Sequence, residues 1–268
     1  MYIGMPTLIE AAAPRESAAL CRRLGLSFVE LNMNLPQYQP QTPDIPQLRA
    51  LAAEYGIFYT IHLDENCNVC DFNPYVADAY LRTVRETIGI ARTLGAPVLN
   101  MHLSSGVYFT LPGGRVYLFD EYSEQYLADT SRFIRACEAE IGSSGIRICI
   151  ENTNGYTALQ REALSLYLQS PCFALTYDIG HDHCSGGGDG AFIRAHADRL
   201  HHMHIHDAVC TPQHRQDHMV PGEGELDLPA FFALAASHDC TVVLETKTVA
   251  GLEAAAAWMH THLPVAAG

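Results

Sequence analysis

The sequence predicts a single (β/α)8 barrel over residues 1–268, because strand-like and helix-like segments alternate along a chain of the usual length for that fold. Eight short runs rich in apolar or β-branched residues are predicted as strands: Tyr2–Met5, Ser27–Met33, Phe58–Leu63, Val98–Leu103, Arg147–Asn152, Ala174–Ile179, Leu200–His206 and Thr241–Glu245. A doubly wound open sheet would usually carry a Gly-rich phosphate-binding turn after its first strand. No G-x-G-x-x-G pattern follows the first run, so the closed barrel is favoured.

Amphipathic segments between these runs have the spacing of helices. One of them places Val76, Tyr80, Val84, Ile88 and Ala91 on a single face. Glycines that follow such segments are predicted to end helices, and aspartates that precede them are predicted to begin helices. The predicted C-terminal glycines are Gly25, Gly56, Gly95 and Gly145, and the predicted N-caps are Asp120 and Asp227. The glycine run 186–188 is expected to be a loop.

The composition favours a reducing compartment and argues against nucleic-acid or membrane binding. The N-terminus has no basic stretch followed by a long apolar one, and no apolar run approaches the roughly 20 residues of a membrane helix, so a cytoplasmic protein is expected. A net charge of −14, with 16 Lys and Arg in all, argues against non-specific contact with phosphate backbones. The nine cysteines are scattered, and the C-x-x-C pair of Cys67 and Cys70 is interpreted as structural.

Polar side chains able to bind a metal stand at the carboxyl ends of seven predicted strands. They are Glu30, His62, His102, Glu151, Asp178 together with His181, His204 and Glu245. In (β/α)8 barrels the active site lies at the carboxyl ends of the strands, so these groups are expected to converge. Because side chains two residues apart share a face of a strand, His202, His204 and His206 are expected to point the same way.

Each of these residues taken alone is more often structural than functional. A lone strand-end histidine is usually hydrogen-bonded in the core, and a lone carboxylate can cap the following helix. Their convergence differs, since three carboxylates in a partly desolvated site would be left unpaired at a high cost in free energy. A divalent cation removes that cost. The mixture of carboxylate oxygen and imidazole nitrogen suits Mn, Zn, Fe, Co or Mg better than Ca.

The segments IHLDEN, MHLS, IEN, DIGH, MHIHD, HMVPGEGELDL and LETK, spread over the whole chain, resemble the xylose isomerase-like TIM barrel superfamily. That superfamily contains sugar isomerases and epimerases, inositol-catabolic enzymes and DNA-repair enzymes of the endonuclease IV type. The resemblance implies that Glu151, Asp178, His204 and Glu245 are metal ligands. In the ketose epimerase branch it also implies that Glu151 and Glu245 exchange protons with carbon on opposite faces of the sugar.

The endonuclease branch of the superfamily holds further metals. The resemblance implies that His62 and His102 bind an additional metal beside the first, and that His181 and His218 match two ligands of a third. The pattern of the third site also takes an aspartate two residues before its second histidine, where this chain has Gln216. That departure argues against a complete three-metal site.

Three functions are compatible with these residues. The first is a divalent-metal-dependent isomerase or epimerase of a sugar or sugar phosphate, in which the metal polarises the carbonyl and Glu151 and Glu245 move a proton through an enediolate. His206, Lys247 and Arg215 are its candidate substrate-binding residues. The second, a metal-dependent phosphodiesterase acting on abasic DNA, is disfavoured by the acidic balance. The third is a non-catalytic carbohydrate-binding barrel, which would not need both glutamates.

Two long segments after predicted strands are expected to shape access to the site. Residues 104–119 are aromatic and punctuated by glycine, as either a lid or a contact in a homo-oligomer would be. Residues 208–224 carry Arg215 and end in a tight G-E-G turn.

Overall fold

The computed structural model describes residues 1–263, so the last five residues of the predicted domain lie outside the described part. Its strands are β1 (Tyr2–Pro6), β2 (Phe28–Asn32), β3 (Phe58–His62), β4 (Val98–His102), β5 (Tyr108–Leu111), β6 (Gly114–Tyr117), β7 (Arg147–Glu151), β8 (Phe173–Asp178), β9 (Leu200–Ile205), β10 (Asp207–Cys210), β11 (Arg215–Met219) and β12 (Thr241–Leu244). Its α-helices are α1 (Pro14–Arg23), α2 (Ile45–Tyr55), α3 (Pro74–Leu94), α4 (Leu118–Glu121), α5 (Ser123–Ile141), α6 (Ala158–Tyr167), α7 (Ile179–Cys184), α8 (Asp189–Ala195), α9 (Leu228–Ser237) and α10 (Val249–His262).

Eight parallel strands close into a barrel in the order β1-β12-β9-β8-β7-β4-β3-β2, which confirms the predicted fold class. Each of the eight predicted strands matches one barrel strand, and each boundary agrees to within one residue. The remaining strands form two antiparallel hairpins, β5–β6 and β10–β11, within the long segments that follow β4 and β9. No helix within residues 1–263 has the length and apolar character needed to cross a membrane.

The caps of the helices agree with most of the predictions made from glycine and aspartate. Gly56 and Gly95 end α2 and α3 in the left-handed conformation, and the Asp227 carboxylate accepts a hydrogen bond from the backbone N–H of Ala230 at the start of α9. Gly25 also has a positive φ, just after α1.

Two predicted caps are wrong. Asp120 lies inside the short helix α4, in which the buried Phe119 ring packs against Tyr126 of α5 at 4.6 Å between centroids. Helix α5 itself begins at Ser123. Gly145 is three residues too late. Helix α5 ends at Ile141 with Gly142 as its cap, and Gly145 has its positive φ in the turn that leads into β7.

The interior of the barrel is apolar at its floor and polar above it. Val98, Cys149 and Ala174 form a small buried cluster apart from the main core, and Phe28 stacks on Phe58 beside it. A side chain at Gly4 would place its Cβ 2.5 Å from the Phe28 ring, so glycine is required there for the floor to fill. The main core lies between the strands and the helices, and it leaves the carboxyl ends of the strands free for polar groups.

All nine cysteines are free thiols. Cys67 and Cys70 are buried beside α3 and α5, and burial raises the pKa of each to about 12. Both therefore stay protonated at neutral pH, as expected for structural residues.

Candidate metal centre

Four strand ends bring the predicted metal ligands together. Glu151 and Asp178 are the last residues of β7 and β8, His204 is the penultimate residue of β9, and Glu245 follows β12. Measured from His204 Nδ1, the nearest carboxylate oxygens are Glu245 Oε2 at 3.0 Å, Glu151 Oε2 at 3.5 Å and Asp178 Oδ2 at 3.8 Å. Glu151, Asp178 and His204 are almost completely buried, and Glu245 is 12% exposed. The four side chains therefore lie close together, and their role as metal ligands stays a prediction.

The polar atoms at the centre of this cluster fit a cation. Within residues 1–263, His204 Nδ1 and Glu245 Oε2 are buried without a hydrogen-bond partner, and the 3.0 Å between them does not have hydrogen-bond geometry. Three carboxylates surround one imidazole nitrogen whose ring is held from the other side by Glu30. Such a set is costly when unpaired, and a divalent ion compensates it.

The pKa values of the clustered side chains are shifted in the directions that favour positive charge at the centre. Burial raises the pKa of Glu151 and Glu245, but the surrounding imidazoles, with Lys247 beside Glu245, outweigh it and hold both pKa values well below the usual range. Burial lowers the pKa of His204, yet the carboxylates raise it well above its usual value. These directions favour a protonated His204 in the metal-free cluster, and a divalent cation held there would compete with that proton for Nδ1.

His62 and His102 lie beside Glu151, as predicted for an additional metal. Their Nε2 atoms are 3.4 Å and 3.1 Å from Glu151 Oε2. His62 Nδ1 lies 2.7 Å from the carbonyl oxygen of Leu63 and donates to it, so Nε2, on the Glu151 side, is the ring atom that could bind a metal. Burial lowers the pKa of His62, but Glu151 raises it to about 9 overall.

His181 and His218 border the same cluster on its other side. His181 Nδ1 is 3.3 Å from both Glu151 Oε1 and Asp178 Oδ2, and His218 Nε2 is 3.5 Å from Glu245 Oε1. Asp217, next to the position where the third-site pattern takes its aspartate, is 2.9 Å from His218 Nδ1 and orients that ring.

His206 lies behind Asp178 and does not line the cavity. Its Nε2 is 3.1 Å and 3.2 Å from the two Asp178 oxygens, and its Nδ1 accepts a hydrogen bond from the backbone N–H of His218 at 2.8 Å. His218 has a φ of 52°, a strained value for histidine. The sequence placed His206 among the substrate-binding residues, but its full burial gives it a supporting position toward Asp178.

A cavity of about 880 Å³ opens above the cluster at the carboxyl end of the barrel. The predicted site residues that line it are His62, His102, Glu151, His181, Arg215, His218, Glu245 and Lys247. Lys247 Nζ lies 2.7 Å from Glu245 Oε1 and Arg215 is exposed at the rim, so both can meet a substrate. Residues 104–107 also line the cavity, whereas Phe109 and Leu111 in the β5–β6 hairpin are more than half exposed.

Several supporting residues were missed from the sequence. Asn100 donates to Glu151 and accepts from the Thr176 hydroxyl, and Asn152 pairs with both backbone groups of Asp178. Asn100 could have been found, because it lies two residues before His102 and so shares its face of β4. Asp207 could not have been found from the sequence, because it binds backbone amides of the distant loop 222–226.

The chain is a closed parallel barrel with a buried carboxylate–imidazole cluster at its carboxyl end. The model of the xylose isomerase-like TIM barrel family matches residues 18–262. The chain belongs to that family.

Solved structures of related proteins have the same fold. A D-tagatose 3-epimerase-like protein superposes with a TM-score of 0.78 at 18% identity, covering 97% of this chain and 96% of the other. The 3-keto-D-glucoside 4-epimerase YcjR of E. coli gives 0.75 at 18% identity, covering 97% and 99%. An IolI protein with a bound zinc atom gives 0.71 at 16% identity, covering 97% and 96%. At these identities the similarity establishes the fold.

Proposed function

We propose that the protein is a divalent-metal-dependent isomerase or epimerase of a sugar or sugar phosphate. The observation that carries this proposal is a pair of glutamates near His204 Nδ1, Glu151 at 3.5 Å and Glu245 at 3.0 Å, which both line one open cavity. The names of the structural neighbours, one an epimerase, one an epimerase-like protein and one a zinc-bound protein, agree with it.

Each glutamate directs one oxygen at His204 and the other at a further side chain. Glu151 Oε2 faces His204, whereas Glu151 Oε1 faces His181 Nδ1 at 3.3 Å. Glu245 Oε2 faces His204, whereas Glu245 Oε1 meets Lys247 Nζ at 2.7 Å. The carboxylates are thus fixed in position and still able to take or give a proton at the cavity.

The chain's own residues would divide the reaction between two bases. With a pKa below the usual range, Glu151 and Glu245 are both ionised at neutral pH, so either can accept a proton from carbon next to the substrate carbonyl. In an epimerisation the other glutamate would take up a proton from solvent and deliver it to the opposite face of the same carbon, and the first glutamate would release its proton to solvent. His181 and Lys247 are placed to bind substrate oxygens. The metal, held by Glu151, Asp178, His204 and Glu245, would acidify that C–H bond by polarising the carbonyl.

The test combines metal analysis with a substrate panel. Purified protein is analysed for bound metal by mass spectrometry and assayed for isomer formation with ketoses, their phosphates and keto-glycosides. Glu151→Gln and Glu245→Gln are each expected to reduce turnover by at least about 100-fold, the scale of general acid–base catalysis. The surface variant Glu162→Gln controls for the substitution itself. Wild-type-like turnover in either site variant would refute the two-glutamate mechanism.

The second candidate function, a two-metal phosphodiesterase, is favoured by one observation. His62 and His102 face Glu151 as ligands of an additional metal would, and paired metals activate water and stabilise a leaving oxygen. The rim argues against it, because Glu65, Asp71 and Asp217 line the same cavity and would repel a phosphate backbone. Two zinc ions per chain with cleavage of abasic DNA and no sugar turnover would establish this function instead.

A further inference from the structure

Glu30 is a buried carboxylate that the proposed reaction does not use. It lies in the middle of β2, is 2% exposed and does not line the cavity. Three side chains bond to it: His202 Nε2 at 3.0 Å and Thr60 Oγ1 at 2.9 Å to one oxygen, and His204 Nε2 at 3.1 Å to the other. A group with this burial and this number of partners has a defined orientation.

The directions of these hydrogen bonds follow from the chemistry of the carboxylate. An ionised carboxylate only accepts, so Thr60 donates its hydroxyl hydrogen and both imidazoles donate from Nε2. His202 Nδ1 is 2.6 Å from Thr241 Oγ1, which satisfies the second nitrogen of that ring. The chain Thr241–His202–Glu30–His204 therefore runs from the barrel wall to the predicted metal ligand.

We propose that Glu30 is a positioning residue that makes His204 a metal ligand through Nδ1. By holding the hydrogen on Nε2, Glu30 leaves the Nδ1 lone pair directed at Glu151, Asp178 and Glu245. Its buried negative charge also increases the basicity of the imidazole and attracts the cation. This inference rests on the proposed metal site but not on the identity of the substrate.

The same three groups do not make a separate metal site of their own. Glu30, His202 and His204 lie close enough to share an ion, but the ion would need unprotonated Nε2 atoms on both rings. His204 would then turn its hydrogen to Nδ1, into the cluster of three carboxylates, and lose its place in the predicted centre. The two arrangements are mutually exclusive at His204.

The first experiment measures metal affinity in Glu30→Gln. The amide has no charge, and its NH₂ group must face one of the two imidazoles, so the hydrogen bond that orients His204 is weakened or reversed. Zinc affinity, measured by competition with a chromophoric chelator, is expected to fall 10- to 100-fold. Thr60→Val is the matched control, since it removes one bond to the same carboxylate and keeps the contact with His204. It is expected to change zinc affinity less than 3-fold.

Equal zinc affinity in Glu30→Gln and wild type would overturn the inference while leaving the proposed sugar chemistry untouched. Sugar turnover absent from a wild type that binds zinc would overturn the proposed function and leave the inference intact. The melting temperature of each metal-free variant is measured alongside, so that loss of affinity through unfolding is recognised.

A second measurement uses the wild type and does not depend on the variant folding. In zinc-loaded, ¹⁵N-histidine-labelled protein, the His204 ring is expected to keep a hydrogen on Nε2 and to bind zinc through Nδ1. Its signals are identified by their absence in a His204→Gln sample. A hydrogen on Nδ1 with zinc at Nε2 would show that Glu30 does not set the ligand atom.

Discussion

Gly180 offers a sharp test of how the second layer of residues supports the metal centre. It lies in the first turn of α7, and a Cβ built there would be 2.0 Å from His206 Cε1 and 2.5 Å from His206 Nδ1. Real Cβ contacts are not closer than 3.0 Å, so Gly180→Ala must move the ring by at least about 1 Å. The ring cannot move freely, because it is fully buried, stacks on His218 at 4.2 Å between centroids and is bonded to Asp178.

The expected magnitude comes from two opposing effects. Alanine is favoured over glycine inside a helix by about 0.5–1 kcal/mol. Overpacking in a filled interior costs about 1–3 kcal/mol. Gly89 in α3 is the matched control, since nothing lies within 4 Å of its built Cβ. Gly180→Ala should therefore be less stable than Gly89→Ala by about 1–3 kcal/mol, or roughly 2–10 °C in melting temperature for a chain of this size.

The assay is urea unfolding of both variants and the wild type, followed by zinc titration. Because the displaced ring is the partner of Asp178, Gly180→Ala should also bind zinc more weakly than Gly89→Ala does. Equal free energies of unfolding and equal zinc affinities for the two variants would refute the supporting role assigned to His206.

Three further predictions concern metal, pH and the loop over the site. Zinc at 100 times its dissociation constant should stabilise the fold by about 2.7 kcal/mol, and a chelator should reverse the rise in melting temperature. Burial lowers the pKa values of His62 and His181, but nearby carboxylates outweigh it and raise both to about 9. The two protonated histidines therefore stabilise the metal-free protein fully below pH 6.5, and this stabilisation is lost as pH rises through 9. Urea titrations should show that loss of stability, and zinc affinity should rise over the same pH range as the two histidines lose their protons. A metal-free protein that is equally stable at pH 6.5 and 9 would contradict the raised pKa values. Asp207→Asn should cost about 1–3 kcal/mol, because its amide group would face the backbone N–H of Gly222, now bonded to the carboxylate at 2.8 Å. Faster hydrogen exchange at Gly222 checks this change, and unchanged exchange and stability would contradict it.

The barrel and the positions of the four candidate ligands could be predicted from the sequence for the same physical reason. Strand-end residues such as Glu151 and Asp178 follow short apolar runs, and in a closed parallel sheet every such end lies on one face. The two-residue period then selects the inward side chains of β9, which the contacts of His202 and His204 with Glu30 confirm. Local pattern and fold topology were sufficient for these residues.

The supporting residues required knowledge of contacts that no local pattern contains. Asp207 binds backbone amides 15 and 19 residues away. His206 accepts a hydrogen bond from the backbone of His218, which has a left-handed conformation in the β10–β11 hairpin, a segment predicted only as a loop. The wrong cap at Asp120 is a similar case, since Asp120 lies in a helical turn whose buried Phe119 packs against Tyr126, seven residues further on. Each of these cases depends on tertiary packing, which overrides local propensity.

The arrangement of charge along the barrel axis gives metal binding a consequence for the whole fold. Glu30 is buried among neutral or donating partners below His204, and Glu151, Asp178 and Glu245 surround the same ring from above. Lys247 Nζ lies 2.7 Å from Glu245 Oε1, but its side chain is 58% exposed, so water screens its charge. Without a metal, protons on the histidines compensate the carboxylates, and they are lost as pH rises. A divalent ion compensates the same charges at any pH at which it binds, so the metal should extend the stability of the fold toward alkaline pH as well as serve the reaction.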